Sequence, residues 1–171
     1  METDTRANSP ARCVVDGKNQ LAEGPVWEPA EGALYWVDIV EGLVQRLDPA
    51  TGERRKWKLP EAVGALALRD GGGLVLALAS GFALFDPATG AVTRGPAPDA
   101  DRPENRMNDG KCDRRGRFWA GTMNGRAGTR DGSLFRLGAD LSCKRMLTEF
   151  GIGPLGGPAR FGGGPIAMRW F

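Results

Sequence analysis

The pentapeptide DPATG occurs twice in the chain, at Asp48–Gly52 and at Asp86–Gly90, and the two copies begin 38 residues apart. The same features precede each copy: a polar turn that closes on glycine, an apolar strand, a glycine and a second strand. In the first unit these are "EPAEG", "ALYWVDI", Gly42 and "LVQRL"; in the second they are "RDGGG", "LVLALAS", Gly81 and "FALF". Because the match extends well beyond the turn, we interpret the two segments as structural repeats.

The chemistry of DPATG supports this interpretation. Aspartate opens a turn with its side chain, proline restricts the next φ angle, and glycine supplies a positive φ before the return strand. A third unit begins at "DRRGRFWAGT" and resumes, after a Gly- and Arg-rich insertion, with "GSLFRLGADLSCKRM". A period of roughly 40 residues with about four short strands is typical of β-propeller blades. The sequence therefore predicts an all-β fold of three blades, without long helices.

The repeat pattern also predicts where the blades lie. It places the inner strands of blade 1 at Ala22–Trp27 and Ala33–Ile39, blade 2 at Val63–Pro96 and blade 3 at Met107–Phe150. One further strand is predicted at "RCVVDG", residues 12–17, where it would complete the last blade of a closed propeller. Propellers typically have four to eight blades, so three blades predict an incomplete ring.

Composition divides the chain into an N-terminal tail at 1–13, a partial propeller at 14–150 and a Gly/Pro-rich tail at 151–171. The last segment holds seven glycines, three prolines and no acidic residue. It is either a flexible tail or a point where the chain leaves its parent reading frame, near Gly153, and stops early. We favour the second interpretation, because a half-ring leaves a blade face and sheet edges uncovered.

Composition excludes several function classes. The chain has no histidine, which rules out Ser-His-Asp and Cys-His catalysis and His-ligated zinc within it. With 23 Lys+Arg against 21 Asp+Glu there is no basic stripe, so nucleic acid is not an expected partner. Three widely spaced cysteines indicate free thiols in a reducing compartment. Without an apolar leader or a run of 18 apolar residues, we expect a cytoplasmic protein that does not bind membranes.

Two polar groups are candidates for a functional site at one mouth of the propeller. Glu23 lies in "LAEGPVW", directly before a strand, and Arg106, Asn108 and Asp109 lie at the corresponding place in blade 3. A carboxylate and an amide oxygen brought together there would suit a hard divalent cation. Two simpler readings remain open, since Glu23 could be an exposed strand-end acid and the polar run an ordinary turn.

The two segments "LAEGPVWEPAEGALYWVDI" and "RMNDGKCDRRGRFWAGTM" closely resemble the gluconolactonase/regucalcin family, also called the senescence-marker-protein family. The resemblance covers about Val14 to Phe150. It implies a six-bladed β-propeller that hydrolyses sugar lactones and holds one divalent metal ion, calcium or else zinc, manganese or magnesium, in its central channel. This chain would then supply the N-terminal three blades of that ring.

The resemblance also implies roles for particular residues. Glu23 matches the family's first metal-ligating carboxylate, and Arg106 and Asn108 match residues that contact the lactone. Asp109 is placed in the same substrate-binding set, although we expect it mainly to hold the loop. In such a site the metal polarises the lactone carbonyl, Arg106 holds the developing oxyanion or a ring hydroxyl, and a carboxylate takes a proton from water.

The sequence departs from the family pattern at the remaining positions. The family takes a second metal ligand, an asparagine, from its fourth blade, and a third, an aspartate that also acts as general base, from its fifth. This chain instead reads "FGIGPLGGP" from Phe150 and has no acidic residue after Glu149. It also has Asn124 and Gly125 where some relatives carry an acidic side chain. No catalytic residue is therefore retained, and we expect the chain to be inactive as it stands.

Two other functions remain open at this point. The chain could belong to a non-catalytic, calcium-binding propeller protein of the regucalcin kind, or it could be an independent small β-domain that makes protein contacts. We also expect the open half-ring to self-associate through its uncovered strand edges.

Overall fold

The computed structural model describes residues 13–126 and 129–150, together with two short strands at 160–161 and 164–165. Every regular element in this described part is a β-strand, which confirms the predicted all-β fold. The described part also holds no helix that could span a membrane. The tails predicted at 1–13 and 151–171 lie almost entirely outside the described residues.

Three antiparallel sheets of four strands follow one another along the chain, and each sheet keeps its strands in sequence order. Blade 1 contains β1 (Ala22–Glu28), β2 (Ala33–Asp38), β3 (Leu43–Leu47) and β4 (Arg54–Lys58). Blade 2 contains β5 (Val63–Leu68), β6 (Leu74–Leu78), β7 (Gly81–Phe85) and β8 (Val92–Arg94). Blade 3 contains β9 (Asn105–Cys112), β10 (Phe118–Asn124), β11 (Gly132–Leu137) and β12 (Cys143–Phe150). The short strands β13 (Arg160–Phe161) and β14 (Gly164–Pro165) pair with each other.

The DPATG turns form as their chemistry predicts. Asp48 and Asp86 each accept a hydrogen bond at Oδ1 from the backbone N–H two residues on, at 2.9 and 2.8 Å. Gly52 and Gly90 close the turns with φ angles of 76° and 75°. Hydrogen bonds to the carboxylates hold the pKa values of Asp48 and Asp86 below their ordinary range. Each pentapeptide thus links the third and fourth strands of its blade.

Blade 2 lies between the other two blades, which explains its continuous apolar strands. All five residues of β6 are buried, as expected for a strand covered on both faces. On one face Leu74 and Leu76 pack with Tyr35 of blade 1. On the other face small residues of blade 2 receive large side chains of blade 3, and Phe82 meets Phe118 edge to face, with ring centroids 5.9 Å apart. Packing between blades therefore forms the core.

The strand predicted at residues 12–17 does not form among the described residues, which begin at Cys13. The following residues instead contact blade 1 through side chains. The side-chain oxygen of Asn19, Oδ1, accepts a hydrogen bond from Gln45 Nε2 at 3.0 Å. The backbone N–H of Gln20 donates to the carboxylate of Asp38 at 2.8 Å. A strand requires a neighbouring strand to pair with, and no described strand pairs with residues 13–17.

Asp38 organises the chain just before Glu23. Its side chain is only 1% exposed, and it accepts hydrogen bonds from the backbone N–H groups of Gln20, Leu21 and Glu41 at 2.8, 3.2 and 3.2 Å. We expect Asp38→Ala to lower the free energy of unfolding by about 3 kcal/mol, because these donors lose a charged acceptor. Urea unfolding measures the change. Asp70→Ala, in an exposed turn, is the control, and equal losses in both variants would contradict this role.

Candidate functional site

The inner strand of blade 3 contains a β-bulge at the predicted site. Met107 pairs with Thr122 and Gly110 pairs with Ala120, so Asn108 and Asp109 together lie opposite Gly121. A bulge of this kind redirects side chains from the regular alternation of a strand. The bulge therefore coincides with two of the predicted site residues, Asn108 and Asp109.

The inner strand of blade 1 has a similar irregularity next to Glu23. Glu23 pairs with Val37 and Val26 pairs with Tyr35, so two residues, Gly24 and Pro25, lie opposite one. Gly24 has a φ of 57°, a conformation that glycine adopts readily. The motif "EGP" is therefore a bulge that follows the candidate carboxylate.

Arg106 and Asn108 contact each other directly. Nη1 of Arg106 donates hydrogen bonds to Oδ1 of Asn108 at 2.9 Å and to the backbone oxygen of Met107 at 3.1 Å. Burial lowers the pKa of the Arg106 guanidinium, which still remains protonated at neutral pH, as arginine does in proteins. Because Oδ1 of Asn108 is already an acceptor, its amide N–H₂ group remains to donate. The pair thus presents N–H donors suited to an oxygen-rich ligand.

Residues of blade 2 contact the backbone of β9 next to this pair. The backbone of Asn108 passes so close to Gly64 that a Cβ atom at position 64 would lie 2.3 Å from the Asn108 oxygen. Met107 is 1% exposed, and its backbone N–H donates to the oxygen of Ala79 at 3.2 Å. The position of the bulge in β9 is therefore determined by its contacts with β5 and with the end of β6.

Glu23 lies in a different cleft from Arg106. The Glu23 cleft has a volume of about 510 Å³ and is lined by the inner strands of all three blades, including Asp109 and Lys111. Arg106 lines a second cleft of about 580 Å³, between blades 2 and 3. Asp109 Oδ1 accepts a hydrogen bond from the next backbone N–H, of Gly110, at 2.8 Å. The structure thus brings Glu23 together with Asp109, and Arg106 together with Asn108; one site shared by Glu23 and Asn108 stays a prediction.

The described residues supply too few oxygen ligands to bind a divalent metal by themselves. Calcium takes about six to eight oxygen ligands, usually with several carboxylates among them. Among the described residues, no three Asp, Glu or Cys side chains come together in a way that could hold an ion. Glu23 offers one carboxylate, whereas the Asn108 oxygen already accepts from Arg106. Glu23 could contribute to a metal site, but these residues alone do not form one.

Asp99 is important to the site but was not identified from the sequence. Its side chain is only 8% exposed and pairs with Arg145 at 2.9 Å. It also accepts hydrogen bonds from Thr122 Oγ1 at 2.7 Å and Asn105 Nδ2 at 2.8 Å. Asp99 therefore holds the β8–β9 loop against blade 3, directly before Arg106. Its partners come from residues up to 46 positions away, so no local motif could indicate it.

Glu61 forms a second polar cluster at the edge of the Arg106 cleft. It pairs with Arg94 and accepts hydrogen bonds from the backbone N–H and the hydroxyl of Ser80, at 2.6 and 3.0 Å. Partial burial by itself would raise the pKa of Glu61, but the hydrogen bonds from Arg94 and Ser80 outweigh it and hold the pKa below its ordinary value. Glu61 is thus an ionised side chain whose two carboxylate oxygens both accept hydrogen bonds.

Sequence comparisons identify relatives across most of the chain. The family described as SMP-30/Gluconolactonase/LRE-like region matches residues 21–153. A 6-deoxy-6-sulfogluconolactonase of Pseudomonas putida is 41% identical over 143 residues, which cover 83% of this chain and 49% of that protein. Regucalcin of Xenopus laevis is 43% identical over 112 residues, 66% of this chain and 38% of that protein. The chain therefore spans about half the length, or less, of these curated relatives.

The structural comparison agrees with the sequence comparison. A crystal structure of a calcium-binding regucalcin from Agrobacterium tumefaciens superposes with a TM-score of 0.71 at 32% identity, covering 77% of this chain and 44% of that one. The predicted fold, three blades of a six-bladed β-propeller, is thereby confirmed. With a family match from residue 21 to residue 153 and the same blade structure, this chain belongs to the SMP-30/gluconolactonase/LRE-like family.

Proposed function

We propose that this chain provides the lactone-binding side chains of a sugar-lactone hydrolase that opens an aldonolactone to its acid. The observation that carries the proposal is the Arg106–Asn108 pair, half-buried on a bulge of an inner strand and rich in N–H donors. Arg106 would donate to the lactone oxygen that gains negative charge during ring opening, a role that preorganised donors perform in acyl transfer. Asn108 would donate to a ring hydroxyl.

The same proposal gives Glu23 and Asp109 supporting roles. Glu23 would contribute one carboxylate to a divalent metal, calcium or else zinc, manganese or magnesium, whose other ligands are not among the described residues. Asp109, bonded to its own loop at Gly110, would keep the bulge in shape. Bound in a complete ring, such a metal would supply Lewis-acid activation of the lactone and of water. The compartment we propose is the cytoplasm.

A second candidate is a calcium-binding propeller protein without lactonase activity. It is favoured by the 43% identity to Xenopus laevis regucalcin and by the similarity to a regucalcin structure described as calcium-binding. The two candidates differ in one observable property. A complete ring with the first function turns over sugar lactones, whereas a complete ring with the second binds calcium without turnover.

The role of Arg106 can be tested in a fusion of residues 13–150 to the remaining blades of the Pseudomonas putida relative. We expect Arg106→Ala to lower kcat for gluconolactone by about 100-fold, the usual effect of removing one oxyanion donor. Initial rates with a pH indicator measure the change. Arg114→Ala, an exposed arginine in the turn before β10, is the matched control. Unchanged kcat in Arg106→Ala would refute the role, and calcium binding by an inactive fusion would favour the second candidate.

A further inference from the structure

One outer strand of the protein is strongly basic, although the chain as a whole is nearly neutral. The whole chain has 23 Lys+Arg against 21 Asp+Glu, yet four of the five residues of β4 are basic: Arg54, Arg55, Lys56 and Lys58. All four are exposed. The outer strand of blade 1 therefore presents a patch of positive charge to solvent.

This charge is only partly neutralised within the described residues. Arg54 and Lys56 have no described carboxylate at ion-pair distance, and the other two cations of β4 have one acid each, Glu53 at 2.9 Å and Glu41 at 3.9 Å. Both partners in each of these two ion pairs are more than 40% exposed, so solvent screens them and each contributes little. The strand therefore keeps most of its positive charge available to a partner.

The outer strands of the other two blades carry less charge of this kind. The strand β8 has one cation, Arg94, which is paired with Glu61. The strand β12 has two, Lys144 and Arg145, and Arg145 is paired with Asp99 at 2.9 Å. The basic outer strand is therefore a feature of blade 1 and not of the repeating blade structure.

Three of these cations form a regular row on one face of β4. Arg54, Lys56 and Lys58 occupy alternate positions, and each of them pairs with a residue of β3. Alternate residues of a strand share a face and lie about 6.8 Å apart. Trp57, between the last two, points to the opposite face, where its ring meets Phe85 of blade 2 with centroids 5.6 Å apart. The spacing of the row is thus that of the side chains on one face of an extended polypeptide.

The strand β4 is also an edge of its sheet. The strand order of blade 1 is β1-β2-β3-β4, so among the described strands only β3 pairs with β4. The backbone N–H and C=O groups along the other side of such an edge are a template for one more strand. A second copy of β4 would bring the same cations to this edge and would be repelled, whereas a strand of opposite charge would be attracted.

We propose that β4 is a docking edge for an extended acidic segment of a partner protein, which adds to blade 1 as a fifth strand. Carboxylates at alternate positions of that segment would face Arg54, Lys56 and Lys58, because both rows repeat every 6.8 Å or so. Main-chain hydrogen bonds to the edge supply affinity, and the ion pairs select the acidic sequence. A nucleic acid or an anionic membrane also carries negative charge, but neither offers the ladder of N–H and C=O groups that the edge requires.

Peptide binding to the isotope-labelled 171-residue chain, followed by NMR at low ionic strength, tests the proposal. The probes are a capped peptide in which threonine and glutamate alternate and an isomer of the same composition whose glutamates are adjacent. We expect the alternating peptide to bind at least about fivefold more tightly, since only it places every carboxylate on one face and each exposed ion pair adds a modest amount. This preference should be lost when Arg54→Gln and Lys56→Gln are combined.

The matched control combines Arg114→Gln and Arg115→Gln, two exposed arginines in the turn before β10, and should keep the preference. Circular dichroism checks that both double variants are folded. Loss of the preference in both double variants to the same extent, or in neither, overturns the proposal, as does equal binding of the two peptides or no binding of either.

Backbone pairing is tested by methylating the amide nitrogens of the alternating peptide, either those of the glutamates or those of the threonines. In a paired strand the N–H groups of successive residues point to opposite sides, so one methylated peptide should lose binding and the other should keep it. Unchanged binding of both contradicts strand addition. Tighter binding of a single-stranded oligonucleotide or of anionic lipid vesicles than of the alternating peptide, at the same salt concentration, also overturns the proposal, because β4 would then recognise polyanions of another class.

Discussion

The 171-residue chain is expected to hydrolyse gluconolactone no faster than buffer, whether or not calcium, manganese or zinc is added. Of the proposed metal ligands it holds only Glu23, and the described residues include no cluster of three acidic or cysteine side chains. A hard cation takes about six or more oxygen ligands, so metal binding by Glu23 alone would be weak. Glu23 is also exposed, whereas metal catalysis depends on a dry, shaped cavity.

The positive control for this experiment is the fusion of residues 13–150 to the remaining blades of the Pseudomonas putida relative. The fusion should show metal-dependent turnover in a pH-indicator assay, and Glu23→Gln should abolish it. Glu28→Gln, at the other end of β1, is the matched control and should retain activity. Metal-dependent turnover by the short chain that disappears in Glu23→Gln would show that the residues making the site have been misidentified. Sedimentation of the short chain tests, in the same preparation, the predicted self-association of its open edges.

Replacing Gly64 by alanine is expected to destabilise the protein and to displace the Arg106–Asn108 pair. The added Cβ would lie 2.3 Å from the backbone oxygen of Asn108 and 2.7 Å from its carbonyl carbon. Both atoms lie in the bulge between Met107 and Gly110, which pair with Thr122 and Ala120 of β10, so the segment is anchored at both ends. Overpacking of this kind costs about 1–3 kcal/mol and sometimes more, and we expect a loss near the upper end.

Urea unfolding measures this loss, and the kcat of the fusion protein for gluconolactone measures the displacement of the site. Gly121→Ala is the matched control: Gly121 lies in the same bulge, yet its added Cβ would meet nothing nearer than the Ser133 oxygen at 3.8 Å. The control should remain within about 1 kcal/mol of the original chain, as substitutions without steric conflict do. If both variants lose the same stability, the contact between Gly64 and Asn108 does not support the bulge.

Local sequence chemistry was sufficient to predict the blades. Each DPATG turn depends only on its own aspartate side chain, its proline and a glycine with positive φ, all within five residues. The apolar run "LVLALAS" was sufficient to predict a strand there, and the structure adds that all five residues of Leu74–Leu78 are buried. The strand predicted at 12–17 does not form at residues 13–17, because a strand depends on a partner and the last blade that it was predicted to complete is not among the described residues.

Only some of the site residues could be predicted from the sequence in the same way. Arg106, Asn108 and Asp109 are neighbours in the chain, so any fold would keep them close together. Strand alternation already places Arg106 and Asp109 on opposite faces of β9, but the two clefts that they line form only where blade 3 packs against the other blades. The pairing of Asp99 with Arg145 could not be predicted for a different reason. The two residues are 46 positions apart in the chain, and only the tertiary structure brings them together.

The sequence by itself therefore determined the repeating blades, their turns and the family to which the chain belongs, because these depend on contacts within a few residues or on motifs that can be read directly. The tertiary structure decided which charged residues line the same cleft: Glu23 with Asp109 in one, and Arg106 in another with Glu61 and Asp99, which are paired with Arg94 and Arg145. The physical reason is that neutralisation depends on distances of a few ångströms between blades. Packing between blades sets those distances, for example that of Gly64 against Asn108 and of Phe82 against Phe118.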